Sequence, residues 1–216
     1  MIIEILKKIY KDIRLMLRKK LILEKWRAIN HNIDLSIISS DCTGGLLCHE
    51  LGIRFNSPTI NMFMMAEDYL SFCRNIEYWI NQPWIEVETE YEYPVVMLGE
   101  KGIKLYLVHY KSVDEAKQKW DIRKTRINYN NIYYVMNDRN GCTEEMIRQF
   151  DKLTCKNKIF FSHKHHENIK SEFVIKCRES FSCVPTMTAF KNKFSIQRNY
   201  DQFDFVGWIN KTTPNK

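Results

Sequence analysis

Two apolar runs in this chain end in residues able to move protons. Asn131–Asn137 ("NIYYVMN") leads into Asp138-Arg139-Asn140-Gly141, and Lys158–Ser162 ("KIFFS") leads into His163-Lys164-His165-His166. A third run, Asp34–Ser39, empties into Ser40-Asp41-Cys42-Thr43-Gly44-Gly45. Imidazole changes charge near neutral pH, and a carboxylate can orient it or act as a base itself. Asp41, Asp138 and His163 are therefore the candidate catalytic residues, as base or as orienting group for an acceptor hydroxyl.

The flanking residues suggest what such a site would hold. The Thr43-Gly44-Gly45 turn before "LLCHEL" could open a short helix whose free N–H groups bind an anion such as phosphate. It matches neither the dinucleotide fingerprint nor the phosphate-loop motif, and a plain tight turn is the competing reading. Asn56, Ser57, Thr59 and Asn61 lie between apolar residues, placed either to hydrogen-bond a polar ligand or to pin their loop to the strand edge. His109 and Tyr110 follow another apolar run, and Arg139 offers a cation beside Asp138. With Cys42, Gly44 and Gly45, these are the candidate substrate-binding residues. Asp-x-Asn-Gly is also a favoured turn on local grounds. Cys42 with His163 or His109 as base, or Ser57, would make a nucleophile, although Ser57 lacks the strand–elbow–helix setting of a hydrolase serine. "HKHH" invites zinc, but Cys155, Cys177 and Cys183 lack the short paired spacing of a structural zinc site. No metal ligand is assigned and no cofactor is required. A divalent ion is compatible with the carboxylates but has no ligand spacing behind it.

The elements that must position these groups can be read from hydrophobic period. Strands are expected at Asp34–Ser39, Ile103–His109, Asn131–Asn137 and Lys158–Ser162, with extra strands at Trp84–Glu90 and Tyr93–Leu98 and a turn at Gly99–Gly102. Helices are expected at Ala66–Asn81, Val113–Arg126 and Thr143–Leu153, the last opening on an N-cap threonine followed by two glutamates. The tail "YDQFDFVGWIN" reads as a closing helix returning Phe203, Val206 and Trp208 to the core. Strands rich in Ile, Val, Tyr and Phe alternating with amphipathic helices give an α/β fold: a mainly parallel open sheet, Rossmann-like and three-layered, with helices on both faces. Ligands bind beyond the carboxyl ends of such strands, so the polar clusters above are expected along one edge.

Charge divides the chain. Residues 1–30 hold nine Lys/Arg against three acids, a net +6, while the other 186 residues hold 24 bases and 23 acids, a net +1. A near-neutral body argues against nucleic acid as a partner. In "MIIEILKKIYKDIRLMLRKKLILEKW", Ile2, Leu6, Ile9, Ile13, Met16 and Leu17 share one helical face and bases fill the rest. That face either packs on protein or lies on an anionic membrane surface. Lysines and arginines interrupt the apolar residues too often for a cleavable signal peptide or a membrane span. Seven scattered cysteines fit reduced thiols in a cytosolic protein. Residues 1–30 are thus read as a basic amphipathic helix and residues 31–216 as a single α/β domain. The charged run of Lys117, Lys119, Arg123, Lys124 and Arg126 is a solvated helix face or a cationic wall for a phosphorylated donor.

Four ordered blocks, "LGIRFNSPTINMFM", "VHYKSVDEAKQKWDIRKTRINYNNIYYVMNDRNGCTEE", "FDKLTCKNKIFFSHK" and "FDFVGWIN", resemble the bacterial family labelled domain of unknown function nineteen-nineteen. The resemblance spans about residues 33 to 210. It implies an α/β domain and a place in exopolysaccharide, surface or capsular polysaccharide biosynthesis, without supplying a reaction. Members of that family tend to carry Asn-Asn-Cys where this chain has Ser40-Asp41-Cys42. The combined expectation is a cytoplasmic glycosyltransferase-like enzyme, peripheral at the inner face of the cell membrane through residues 1–30. It would use a nucleotide-sugar or other phosphorylated small molecule. A sugar-modifying esterase or acyltransferase, or a non-catalytic partner in a polysaccharide assembly complex, is the alternative. No oligomeric state follows from the sequence.

Overall fold

The computed structural model describes residues 2–211, the side chain of Ile2 aside. Met1 and residues 212–216, assigned above to the N-terminal helix and the domain, lie outside the described residues. In chain order the elements are α1 (Ile2–Arg18), a π-helical turn (Lys19–Leu23), α2 (Glu24–Ile29), β1 (Ser36–Ser39), α3 (Thr43–Leu51), α4 (Ala66–Arg74), α5 (Ile76–Trp79), β2 (Trp84–Val87), β3 (Val95–Leu98), β4 (Ile103–Tyr106), α6 (Val113–Lys124), β5 (Ile132–Asn137), α7 (Glu144–Asp151), β6 (Lys158–Ser162), β7 (Glu172–Val174) and α8 (Phe205–Lys211).

β1, β5, β6 and β7 form a parallel sheet in the order β1-β5-β6-β7, with Ile38 opposite Tyr134 and Met136 opposite Phe160. Alternate side chains feed two separate cores, because successive residues of a strand point to opposite faces. Ile38, Tyr134, Met136 and Phe160 meet α4, α6 and α7 through Tyr69, Trp120 and Phe150. Ile37, Tyr133, Val135 and Phe161 meet α3 and α8 through Leu47, Phe205 and Ile209. Both faces are covered, which is why these strands read as continuous apolar runs. The fold is α/β.

Three expectations change. The run at Ile103–His109 is not a strand of the parallel sheet: β4 pairs antiparallel with β3, and β3 with β2, in a second three-stranded sheet. β3 and β4 are joined by the Gly99–Gly102 turn, too short for any parallel crossover. The fourth parallel strand is β7, a three-residue edge strand that no periodicity announces. The helix expected at Ala66–Asn81 breaks at Asn75, whose side chain accepts from the Tyr78 N–H and starts α5 as a new helix. Thr143 caps α7 as expected, its hydroxyl accepting from the Met146 N–H at 3.3 Å.

The N-terminal helix turns the opposite way from an ordinary amphipathic helix. Its apolar face is solvent-exposed, from Ile3 at 68% through Leu6, Ile9 and Ile13 to Met16 at 60%. Its basic side docks instead. Tyr10 donates to the Lys193 carbonyl, Arg14 to the carbonyls of Ser195 and Asn192, and Arg18 is fully buried. A step of four residues overshoots an α-helical turn by about 40°, so a strip at positions 10, 14 and 18 drifts. The wider π turn that follows brings Leu23 and Trp26 back onto the body.

Arg18 sits in a closed ionic cluster. Its guanidinium donates to both carboxylate oxygens of Glu50 and both of Asp201, and to the Ile196 carbonyl. Arg198 also donates to Glu50, at 2.9 Å, as does the Tyr200 hydroxyl. Two cations thus meet two anions. Burial alone would raise the Glu50 carboxyl, but the hydrogen bonds from Arg18 and Tyr200 outweigh it and hold the group below its ordinary value. Removing one partner strands buried charge, which typically costs about 3–5 kcal/mol. Arg18→Ala is therefore expected to destabilise the chain by about that much, read as a lower urea midpoint. A carboxyl whose folded-state value is lowered stabilises the fold above its ordinary value and loses that contribution as pH falls through the folded-state value. The wild-type midpoint should accordingly decline with acid below the ordinary Glu value of 4.5.

Candidate functional site

β5 lies between β1 and β6, so its last residues reach a neighbour on either side. Asn137 reaches towards β1: its amide donates to Asp41 Oδ2 at 2.9 Å, and its carbonyl oxygen accepts from the Arg139 N–H. Asp138 reaches towards β6. Its Oδ2 accepts from the His163 backbone N–H at 2.7 Å and from His163 Nδ1–H at 2.5 Å. Its Oδ1 accepts from the Val184 N–H at 2.7 Å. The carboxylate is 6% exposed and the imidazole 19%. The chain can leave β5 this sharply because Asn140 and Gly141 both adopt positive φ, 56° and 76°.

With Nδ1–H given to a carboxylate, the neutral ring keeps Nε2 as its acceptor. Nε2 makes no hydrogen bond among the described residues. Asp138 and His163, following β5 and β6, therefore form a pair in which the imidazole is oriented and its far nitrogen can take a proton, with the Asn137–Asp41 bond beside it towards β1.

The candidate residues divide into two groups. Cys42, Gly45, Asn61 and His109 line one cavity of about 310 Å³ with His49 and Thr188, immediately past Asp41. His109 arrives there from the turn after β4 rather than from a parallel strand, its N–H bonded to the Asn61 carbonyl. Asn61 itself holds φ of 64°, the left-handed region. The remaining candidates are structural. Asn56 donates to Asp34, at the opposite end of β1, while Ser57 and Thr59 are buried and bonded to each other at 3.0 Å. Tyr110 is a buried strut, donating to the Ile60 carbonyl and accepting from Arg123 at 2.7 Å.

Gly44 and Gly45 do not cradle a phosphate. They lie inside α3 with ordinary helical φ, and the helix start is taken: the Thr43 N–H donates to Asp41 Oδ1 at 2.9 Å. An anion there would meet a carboxylate. Gly44 is small because α3 crosses β1 closely, a Cβ there standing 2.9 Å from the Ser39 Cβ; Gly45 faces the loop after α3, where a Cβ would stand 3.1 Å from Ile60. Asp41, bonded by Ser39, Thr43 and Asn137, is a cap as much as a base.

Arg139 keeps a binding capacity. It donates from Nη1 to the Val184 carbonyl at 2.9 Å, makes no ion pair among the described residues, and lines a cleft of about 360 Å³ formed with residues 180–186. His165 is exposed and His166 is not. Both imidazoles bond Glu172, and His166 is buried. Among the described residues, no group of three or more His, Cys, Asp or Glu side chains could hold a metal ion. Asn137, His49, Thr188 and the Val184 backbone escaped the sequence reading. Only Asn137 carried a signal, as a polar residue closing an apolar strand.

Neither nucleophile reading finds support in the geometry. Burial, with the Asp41 carboxylate adding to it, pushes the Cys42 thiol up to about 12, and Ser57 is sealed in.

The family model for domain of unknown function DUF1919 matches residues 13–210. A protein of Haemophilus influenzae described as "Uncharacterized protein" is 37% identical over 179 residues, covering 83% of this chain and 85% of the relative.

A thiol at about 12 is almost wholly protonated at neutral pH, and the thiolate is the reactive form. Iodoacetamide at pH 7.5 should leave Cys42 of the folded chain unmodified, with labelling rising as pH climbs towards 12. Peptide mass mapping reads this directly, and rapid Cys42 labelling at pH 7.5 would contradict the half-buried, anion-flanked geometry.

Proposed function

The chain belongs to the DUF1919 family, and from that premise we propose that it is a glycosyltransferase-like enzyme of surface polysaccharide assembly acting at an anionic membrane surface. The observation that carries the reading is the Asp138–His163 pair at the carboxyl edge of the parallel sheet. His163 Nε2 takes the proton of an acceptor hydroxyl as its oxygen attacks the anomeric carbon of an activated sugar. The bond from that carbon to the donor phosphate breaks, and the leaving diphosphate keeps the electron pair. Asp138 holds the imidazole in the accepting tautomer. A positioned general base of this kind is worth about 10²–10⁴ in rate.

The membrane side of the proposal rests on the N-terminal helix. Among the described residues no helix is long and apolar enough to cross a membrane. The exposed Leu6, Ile9, Ile13 and Met16, with the exposed Lys7, Lys8, Lys11, Lys19 and Lys20 on the same segment, suit a helix lying in the headgroup region.

The test of the site is transfer of labelled sugar from a panel of nucleotide-sugars to a bacterial lipid extract. His163→Ala and Asp138→Ala should lower the rate at least about 100-fold with circular dichroism unchanged. Wild-type rates in both would remove the site. For the membrane arm, Ile9→Glu with Ile13→Glu should abolish flotation of the full chain with anionic vesicles, and undiminished flotation would count against it. Deleting residues 1–30 is a poor substitute, because it removes Arg18, leaving Asp201 without that cation and Glu50 with Arg198 alone.

A further inference from the structure

The cleft beside Arg139 does not end there. Phe181, Pro185 and Thr186 line it and also line a second cleft of about 630 Å³, so the two share a wall. The second carries Lys176, Arg178 and Lys191. Every charged side chain lining the pair is a cation; no acid lines either one among the described residues. The same linings hold Ser180, Ser182 and Thr186, whose hydroxyls can both donate and accept, while the Asn199 and Gln202 amides are bonded to backbone groups. Phe181, 39% exposed, stands where the clefts meet and offers an apolar ring.

One end of this groove abuts the dyad. Val184 gives its N–H to Asp138 and its carbonyl to Arg139, so a single residue separates the groove floor from the carboxylate that orients His163. The other end is held by the N-terminal helix: Phe190 lines the groove, and the Arg14 guanidinium lies 3.6 Å from its ring centroid, with Arg198 at 4.4 Å.

We infer that the groove from Arg139 to Lys191 binds an extended anionic saccharide chain, uronate- or phosphate-bearing, and presents its end to His163. This rests on the transferase reading and names its acceptor class. Cations at intervals match a repeating negative charge, and the serine and threonine hydroxyls match sugar hydroxyls. Phe181 offers its ring to a sugar face; Phe190 is covered by the Arg14 and Arg198 guanidinium groups, so the groove lacks the successive stacking platforms that single-stranded nucleic acid requires.

Calorimetry on the full chain tests the inference with four probes: an oligogalacturonate, a phosphodiester-linked oligosaccharide, a neutral maltodextrin and poly-uridylate of matched charge. One or both anionic saccharides should bind, the maltodextrin should not, and the stronger anionic probe identifies the charge-bearing group. Lys176→Glu with Arg178→Glu, both exposed positions, should weaken that binding at least tenfold. Lys119→Glu with Lys111→Glu, the same charge change on or beside α6 away from the groove, should leave it within about twofold. Equal losses in both double variants, absence of anionic saccharide binding, or tighter binding of poly-uridylate would overturn the inference. His163→Ala separates the two ideas: it should abolish transfer and leave saccharide affinity intact. Binding without transfer in the wild type would sink the transferase reading alone.

Discussion

Arg18 is the residue on which the arrangement of the chain turns. A guanidinium with no exposed surface is tolerable only where anions and acceptors surround it, and here Glu50 from α3, Asp201 from the segment before α8, and the Ile196 carbonyl do so. The contacts come from three places far apart in sequence. They join the N-terminal helix to the end of the helix that packs on β1 and to the segment that closes the second core. Because the basic side of the helix is committed to this cluster, the apolar side has nowhere to go but outward. Exposure of Leu6, Ile9, Ile13 and Met16 is thus a consequence of burying Arg18 rather than a separate feature of the surface.

Asp138 plays the corresponding part at the sheet edge, on a smaller scale. One carboxylate accepts two hydrogen bonds from His163 and one from Val184. The first two set the ring, and the third ties down the segment that walls the adjoining cleft. Asn137, one residue earlier and pointing to the other side of β5, does the same for Asp41. Residues at the end of a strand in the middle of a parallel sheet can address both neighbours because β1 and β6 flank β5 and all three end at the same edge. The site therefore depends less on any loop than on β5 being flanked by β1 and β6.

Much of this edge was legible in the sequence, for a physical reason. Strands buried on both faces must be apolar throughout, so β1, β5 and β6 stand out, and the polar residues that follow them mark the carboxyl edge. The opening to β4 was misread because an apolar run does not say which strand it pairs with. The Gly99–Gly102 turn held that information, since four residues suffice to reverse a strand and cannot carry a crossover. β7 has three residues and a solvent-exposed Val174, too little for any pattern. The glycines of α3 looked like a phosphate turn because Gly-Gly after a strand serves two unlike needs, backbone access for a ligand and close crossing of a helix. Only the neighbours Ser39 and Ile60 decide between them. The burial of Arg18 was invisible because its partners lie 32 and 183 residues away.

The segment between β7 and α8 joins the two ends of the molecule. Its early part meets Asp138 and Arg139 through Val184; its later part meets Tyr10, Arg14 and Arg18 through residues 192–201. Phe190, with guanidinium groups of Arg14 and Arg198 on its ring, lies between them and forms part of the cationic groove. The ion cluster that orients the helix and the carboxylate that orients the imidazole are therefore connected through one irregular stretch rather than through the sheet. A chain engaged at an anionic surface along its exposed apolar helix would place the groove beside that surface. An acceptor held there would need no separate carrier to reach His163. Backbone groups outside a helix or sheet ladder must find partners elsewhere, and here a buried charge supplies one towards each end, Asp138 for the Val184 N–H and Arg18 for the Ile196 carbonyl.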